Sequence, residues 1–182
     1  AEVFIKEGKA NVAKIDLIEA LSTFQKDENS FRKDSDSAAD NANFIRARNR
    51  LDKADKARLS QSPVLCHLAK IEAMNGCNEK AIQLLVEAVA KSPGFVPARY
   101  ELALLLDNND QAMEAISHYE AVVQSEWAHS RSHFRLGEIA LAGKDLRKAE
   151  MHFLIVTDLE PSNAKANDYL AQIAAKKLKN QM

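Results

Sequence analysis

Small and large apolar residues recur in this chain with a period of 34, and that period restricts the fold more than any other feature. Ala81, Ala115 and Ala149 stand 34 residues apart, as do Leu68, Leu102 and Leu136. Small residues follow those leucines at once: Ala69, Ala103 and Gly137. Leu85, Tyr119 and Phe153 form a fourth rung, and Ala88, Val122 and Val156 a fifth. A fixed period of this length marks an array of units that cannot bury their apolar faces alone. Within each unit the spacing is helical, as in Ala81–Leu85–Ala88. Pro93 and Pro161, with Trp127 at the same phase between them, close the second helix, because proline lacks an N–H and crowds the preceding turn. Asn75-Gly76, Asn108-Asn109 and Gly143 fall where the chain must turn between helices. Each unit therefore reads as a helix–turn–helix hairpin. Its small residues allow close approach, and the larger fourth-rung residue fills the space between neighbours.

This ladder resembles the tetratricopeptide repeat. The matching phases are Leu then a small residue in the first helix, Ala early in the second, an aromatic or Leu four later, then a small residue and a closing Pro. The resemblance covers residues 62–163 as three repeats, 62–95, 96–129 and 130–163. Two departures stand out. The bulky residue expected early in the first helix is Leu65, Arg99 and His133, and Trp127 replaces the closing Pro of the middle repeat. The resemblance implies an all-α fold, a right-handed superhelical solenoid of antiparallel helix hairpins.

The phase continues past Pro161 through Leu170 and Ala171, and the chain then carries Lys176, Lys177 and Lys179. Residues 164–182 are thus expected to form a capping helix with cations near its C-terminus. Upstream the ladder fades. Ala47, Leu51 and Ala54 keep the phase, but Asp34 stands where Leu68 predicts a leucine. Residues 1–61 are expected to be a helical region, either a degenerate repeat or a cap. One helix is predicted over 11–26, with Val12, Ile15, Ile18, Leu21 and Phe24 on one stripe, and another over 37–59. The polar stretch 27–36 between them reads as an exposed loop.

Composition narrows the function classes. Few turn residues (five Gly, four Pro) agree with an all-α chain, and 25 Lys and Arg against 26 Asp and Glu leave a formal charge of −1. No global field is available to attract nucleic acid or anionic lipid, so no nucleic-acid partner is expected. No apolar run approaches the roughly 20 residues of a membrane-spanning helix. Arg46, Arg48, Arg50, Lys53, Lys56 and Arg58 form a basic run, but Asp52 and Asp55 interleave it, and it reads as a solvated helix face. No glycine-rich phosphate loop, nucleophile elbow or Cys–His motif occurs, so no catalytic residue and no cofactor are expected. His118 and His152 share a phase on neighbouring second helices, roughly 10 Å apart, and His129 and His133 have i, i+4 spacing with His129 ahead of the helix. Neither arrangement makes a metal site. Cys66 and Cys77 lie about 16 Å apart along a helix axis, beyond the roughly 7 Å limit for a disulfide. Two unpaired cysteines favour a reducing, cytoplasmic compartment. The Ala1 start would fit either a mature form after cleavage, which leaves a periplasmic place open, or an expression fragment.

The family resemblance implies that the first helices line a concave groove. Its lining would be Cys66, His67, Lys70 and Met74; then Tyr100, Glu101, Leu104, Asp107 and Asn108; then Arg131, Phe134, Arg135, Glu138 and Leu141; with Lys165, Asp168 and Tyr169 from the cap. Such a mixture of aromatic, basic and apolar groups suits a peptide or helix. Arg131 and Arg135 match the basic pair of the family's two-carboxylate clamp, whereas Cys66, Lys70 and Glu101 depart from it. The expectation is a non-catalytic scaffold that binds a protein segment. Arg131 and Arg135 would meet a carboxylate, with Tyr100 and Phe134 as anchors. The other reading is an assembly factor or structural subunit of a bacterial envelope machine.

Overall fold

The computed structural model describes the backbone of residues 2–40 and 43–179, and the side chains of 12–38, 43 and 45–179. Every regular element among them is an α-helix: α1 (Glu2–Asp40), α2 (Phe44–Met74), α3 (Asn78–Lys91), α4 (Val96–Asn108), α5 (Ala112–Ser125), α6 (Ser130–Ala142), α7 (Leu146–Leu159) and α8 (Ala164–Lys179). None of these is long and apolar enough to cross a membrane. The chain divides into two compact units, Ala1–Glu101 and Leu102–Met182.

The period of 34 is present in the backbone itself. The turns after α2, α4 and α6 each place one residue in the left-handed region: Gly76 at φ 79°, Asp110 at 60° and Lys144 at 62°. The next N–H then donates back five residues: Cys77 to Glu72, Gln111 to Leu106 and Asp145 to Ala140, each at 2.9 Å. This is the Schellman closure, which satisfies carbonyls that a helix end leaves without partners. The ladder side chains obey the same period. Ala81, Ala115, Ala149, Tyr119, Phe153, Ala88, Val122 and Val156 are wholly buried, and Leu85 is nearly so.

In the first unit α1 packs along α2, and α2 packs on α3. Two sequence expectations fail here. The polar stretch 27–36 is not a loop but part of α1, and the helix expected over 37–59 is divided, its latter part continuing to Met74 as α2. The reason lies in how the polar groups are paired. Glu28 is buried and accepts hydrogen bonds from Arg32 at 3.2 Å, one turn on, and from Gln61 of α2 at 2.7 Å. Ser35, also buried, donates to the Ala47 carbonyl at 2.9 Å. Burial pushes the Glu28 carboxyl up, but the hydrogen bonds from Gln61 and Arg32 and the charge of Lys91 outweigh it and leave it lowered. Residues that look like a solvated loop therefore bond across a helix interface. Pro63 sits inside α2, where its missing N–H deprives the Leu59 carbonyl of an intrahelical donor. Next to it, wholly buried Ser62 donates to the Ala88 carbonyl of α3 at 2.6 Å.

Three of the five residues of the predicted α1 stripe are also misplaced. Val12, Ile15 and Ile18 face solvent, at 59, 64 and 51% exposure. Leu17, Leu21 and Phe24 are half-buried instead. Leu51, at the upstream phase of the ladder, is exposed as well.

In the second unit α6 packs between α5 and α7, and α7 carries α8. Ala149, Phe153 and Val156 of α7 form a core with Ala166 and Ile173 of α8. Gly137 belongs to this packing: a Cβ there would lie 2.8 Å from the Phe153 ring. Glycine here leaves room for the Phe153 ring. Leu170, in phase with Leu136, is half-buried, while Ala171 is exposed.

Candidate functional site

The residues expected to line a binding face divide between the two units. In the first unit His67 and Met74 of α2 are exposed, Met74 at 83%. The His67 ring Nδ1 is 2.7 Å from the Pro63 carbonyl; as a carbonyl only accepts, Nδ1 carries the proton there. Lys70 lies 2.8 Å from Glu101, and that hydrogen bond, against the opposing effect of burial, raises the ammonium group. Tyr100 is half-buried. Cys66, in contrast, is 3% exposed. Burial pushes its thiol up, with Lys70 opposing and Glu101 adding. It packs in the interior, so its expected place on the lining is corrected. Both cysteines are free thiols, and Cys77 is exposed.

In the second unit α4, α6 and α8 bring a chain of polar groups together. Arg135 donates to one oxygen of Asp107 from Nε at 2.9 Å and from Nη2 at 2.5 Å, and to Glu138 from Nη1 at 2.6 Å. Tyr169 of α8 donates to the other oxygen of Glu138 at 3.1 Å, and Tyr119 of α5 donates to Asp107 at 3.4 Å. Burial works against the Arg135 charge, but Asp107 and Glu138 outweigh it and hold the guanidinium protonated. The hydrogen bond to Glu138 raises the Tyr169 hydroxyl, and burial adds to this. Charge-assisted bonds of this kind are short and directional. They fix the floor of the face.

Around that floor, Phe134 meets Phe153 edge-on at 5.7 Å and Tyr169 at 6.0 Å, while Tyr169 stacks on Phe153 at 4.8 Å. Leu104 and Leu141 are half-buried and Asn108 is exposed. Arg131 is exposed at the start of α6. Its charge helps lower the Glu160 carboxyl, after the larger effect of hydrogen bonds from Asn163 and Ser130. The two arginines that the sequence pairs thus differ: Arg135 is committed to internal carboxylates and Arg131 faces outward.

Sequence reasoning missed a second cluster. The departures at the early phase of the first helix are structural. Arg99 donates to the Pro93 carbonyl at 2.8 Å, and Asn167 to the Pro161 carbonyl at 3.2 Å. His133 Nε2 is 3.0 Å from the Trp127 carbonyl. These three pairs are 34 residues apart in both members. The signal was in the sequence, as a polar residue six after each closing position. His133 also presents Nδ1 to His152 Nδ1 at 3.0 Å. His133 Nε2–H donates to the Trp127 carbonyl, and with the His133 ring neutral its Nδ1 accepts from His152 Nδ1–H. Burial pushes His152 down to about 4, with His133 and Lys148 adding to the effect. Burial lowers His133 as well, against the Trp127 hydrogen bond. Among the described residues no three metal-type ligands converge.

The basic run on α2 is partly spent on ion pairs and ring contacts. Arg50 lies 3.7 Å from Asp34 and 5.9 Å from the Phe31 ring centroid, which Lys53 also approaches. Arg58 is 3.6 Å from Asp55 and donates to the Lys91 carbonyl.

Neither a family model nor a curated protein matches the sequence. Solved structures match the fold. The first tetratricopeptide domain of Spaghetti (RPAP3), bound to the HSP90 peptide SRMEEVD, has a TM-score of 0.60 at 19% identity, over 65% of this chain and 94% of its own. A crystal structure of MamA gives 0.61 at 18% identity, over 86% of both chains. The Yersinia enterocolitica type III secretion chaperone SycD, in complex with a peptide of the translocator YopD, gives 0.58 at 19% identity, over 62% of this chain and 92% of its own.

Proposed function

We propose that this chain, whose fold is that of tetratricopeptide-repeat proteins, is a non-catalytic module that holds a segment of a partner protein. In the second unit the segment lies on the face formed by the end of α4, by α6 and by α8. The observation that carries this reading is the division of labour on that face. Asp107, Arg135, Glu138 and Tyr169 satisfy one another and make a rigid floor, so little order remains to be imposed on binding. Phe134 and Tyr169 offer half-buried aromatic surface beside it. Arg131 projects outward to meet a carboxylate on the segment. Leu104, Asn108 and Glu138 complete the contacts. In the first unit His67, Lys70, Met74, Tyr100 and Glu101 offer a further stretch of the same character.

Two of the structurally similar proteins are solved with peptides bound, which supports a peptide ligand for a fold of this kind. The residues named above are this chain's own, and Arg135 changes role: it positions the floor.

Arg131→Glu tests the reading, because the residue is exposed and outside the internal ion network. Wild type and variant are used in parallel to retain binding proteins from the native source, with helicity checked by circular dichroism. A partner kept by wild type and lost by Arg131→Glu is the expected result. The same partners on both would overturn the proposed face.

A further inference from the structure

Two exposed apolar features remain outside the face described above. The first is the α1 stripe of Val12, Ile15 and Ile18, which is turned away from the packed side of its helix. The second is an open trough of about 950 Å³ beside α7 and the end of α8, lined by Arg147, Lys148, Glu150, Met151, Leu154 and Lys177, among others. Met151 and Leu154 are each more than half exposed.

The internal repeat says what kind of object fits the trough. One repeat earlier, Met113, Ile116 and Glu120 of α5 and Gly143 line a cavity whose other wall is α7, through Lys148 and His152. Adding 34 to those four positions gives Arg147, Glu150, Leu154 and Lys177, all in the open trough. Where the inner repeat has a helix alongside, the described residues supply none for the outer one. The trough is therefore shaped for an amphipathic helix, and its charge indicates which. Glu150 is held by Lys177, and Asp145 is used to cap α7. Arg147 is an exposed cation, and so is Lys148, whose ammonium group is only 4.0 Å from Asp145 across an exposed pair. On α1 the apolar stripe is edged by exposed Asp16 and Glu19. Its spacing, apolar width and acidic edge complement the trough.

We infer that α1 of one copy docks through Val12, Ile15 and Ile18 into the α7–α8 trough of a second copy, with Asp16 and Glu19 against Arg147 and Lys148. Such a contact joins two different surfaces, so it repeats from copy to copy. It is separate from the partner-binding face and stands or falls independently of it.

Sedimentation velocity on four samples tests this: wild type, Ile15→Glu with Ile18→Glu, Met151→Glu with Leu154→Glu, and an equimolar mixture of the two variants. All four substitutions are at exposed positions, and circular dichroism checks the fold. Wild type should gain mass with concentration. Each variant alone should stay monomeric, since one lacks the stripe and the other the trough. The mixture should form a one-to-one complex of twice the monomer mass, because each variant retains the surface the other lacks. A charge exchange supplies a second readout. Glu19→Arg should lose self-association, and adding Arg147→Glu should restore it. A wild type that remains monomeric at its solubility limit would overturn the inference. So would a variant that associates as wild type does, or a mixture that stays monomeric.

Discussion

At the turn after α6, Lys144 holds a left-handed backbone conformation, at φ 62°. The asparagines and glycines mark the turns, but the residue that takes the left-handed conformation is Gly76, Asp110 or Lys144, and only the first is the residue that position favours. A lysine there pays a steric cost that glycine avoids. Lys144→Gly should therefore stabilise the protein by about 1 kcal/mol, read as a higher denaturant midpoint with unchanged slope. Arg99 and His133, which look like failures of the repeat pattern, are like Asn167 its carbonyl partners. Pattern matching could not see this, because the pattern records apolar phases and these contacts are polar. His152 carries a pH consequence. Its ordinary value is 6.5 and the folded value about 4. Below 6.5 the unfolded chain takes up a proton that the folded one does not. The contribution is thus complete above 6.5 and is lost as pH falls towards 4. Denaturant midpoints at about pH 7.5 and about pH 5 should fall less in His152→Asn than in wild type. Equal falls would contradict the neutral His133–His152 pair.

The elements within the repeats were legible because each apolar phase is repeated three times. Before them the presence of helices was legible, but their extents and packed faces were not, since α1 and the first half of α2 are stabilised by specific polar pairs that have no period. Glu72 shows how. It is 3% exposed and lies 2.7 Å from Lys14 of α1 and 2.9 Å from Lys80 of α3. The hydrogen bond from Lys14, then that from Lys80, holds its carboxyl below the ordinary 4.5 despite burial. Its contribution is present above that value and is lost as pH falls through the folded one. Glu72→Gln keeps the shape and removes the charge. It should cost roughly 1–3 kcal/mol, reduced from the fully buried case because both lysines reach solvent. Hydrogen exchange should show the loss first in α1. Unchanged protection of α1 would mean that Glu72 does not hold it.

For the whole molecule, the ladder identifies the fold, and the proposed place of a partner segment on it rests on this chain's own side chains. The paired arginines were legible as residues, but their different fates were not: the Asp107 side chain that engages Arg135 lies on another helix, 28 residues away. Reversing both arginines would therefore disturb the fold, because Glu at 135 would face the buried carboxylate of Asp107. We propose that a partner lies on the α4–α6–α8 face of the second unit. Site-specific photo-crosslinking tests it most directly, with a photoreactive residue at Arg131 in one sample and at exposed Met113 of α5 in another, each in extract from the native source. A crosslinked polypeptide from position 131 and none from position 113 is the expected outcome. Capture from 113 without capture from 131 would contradict it.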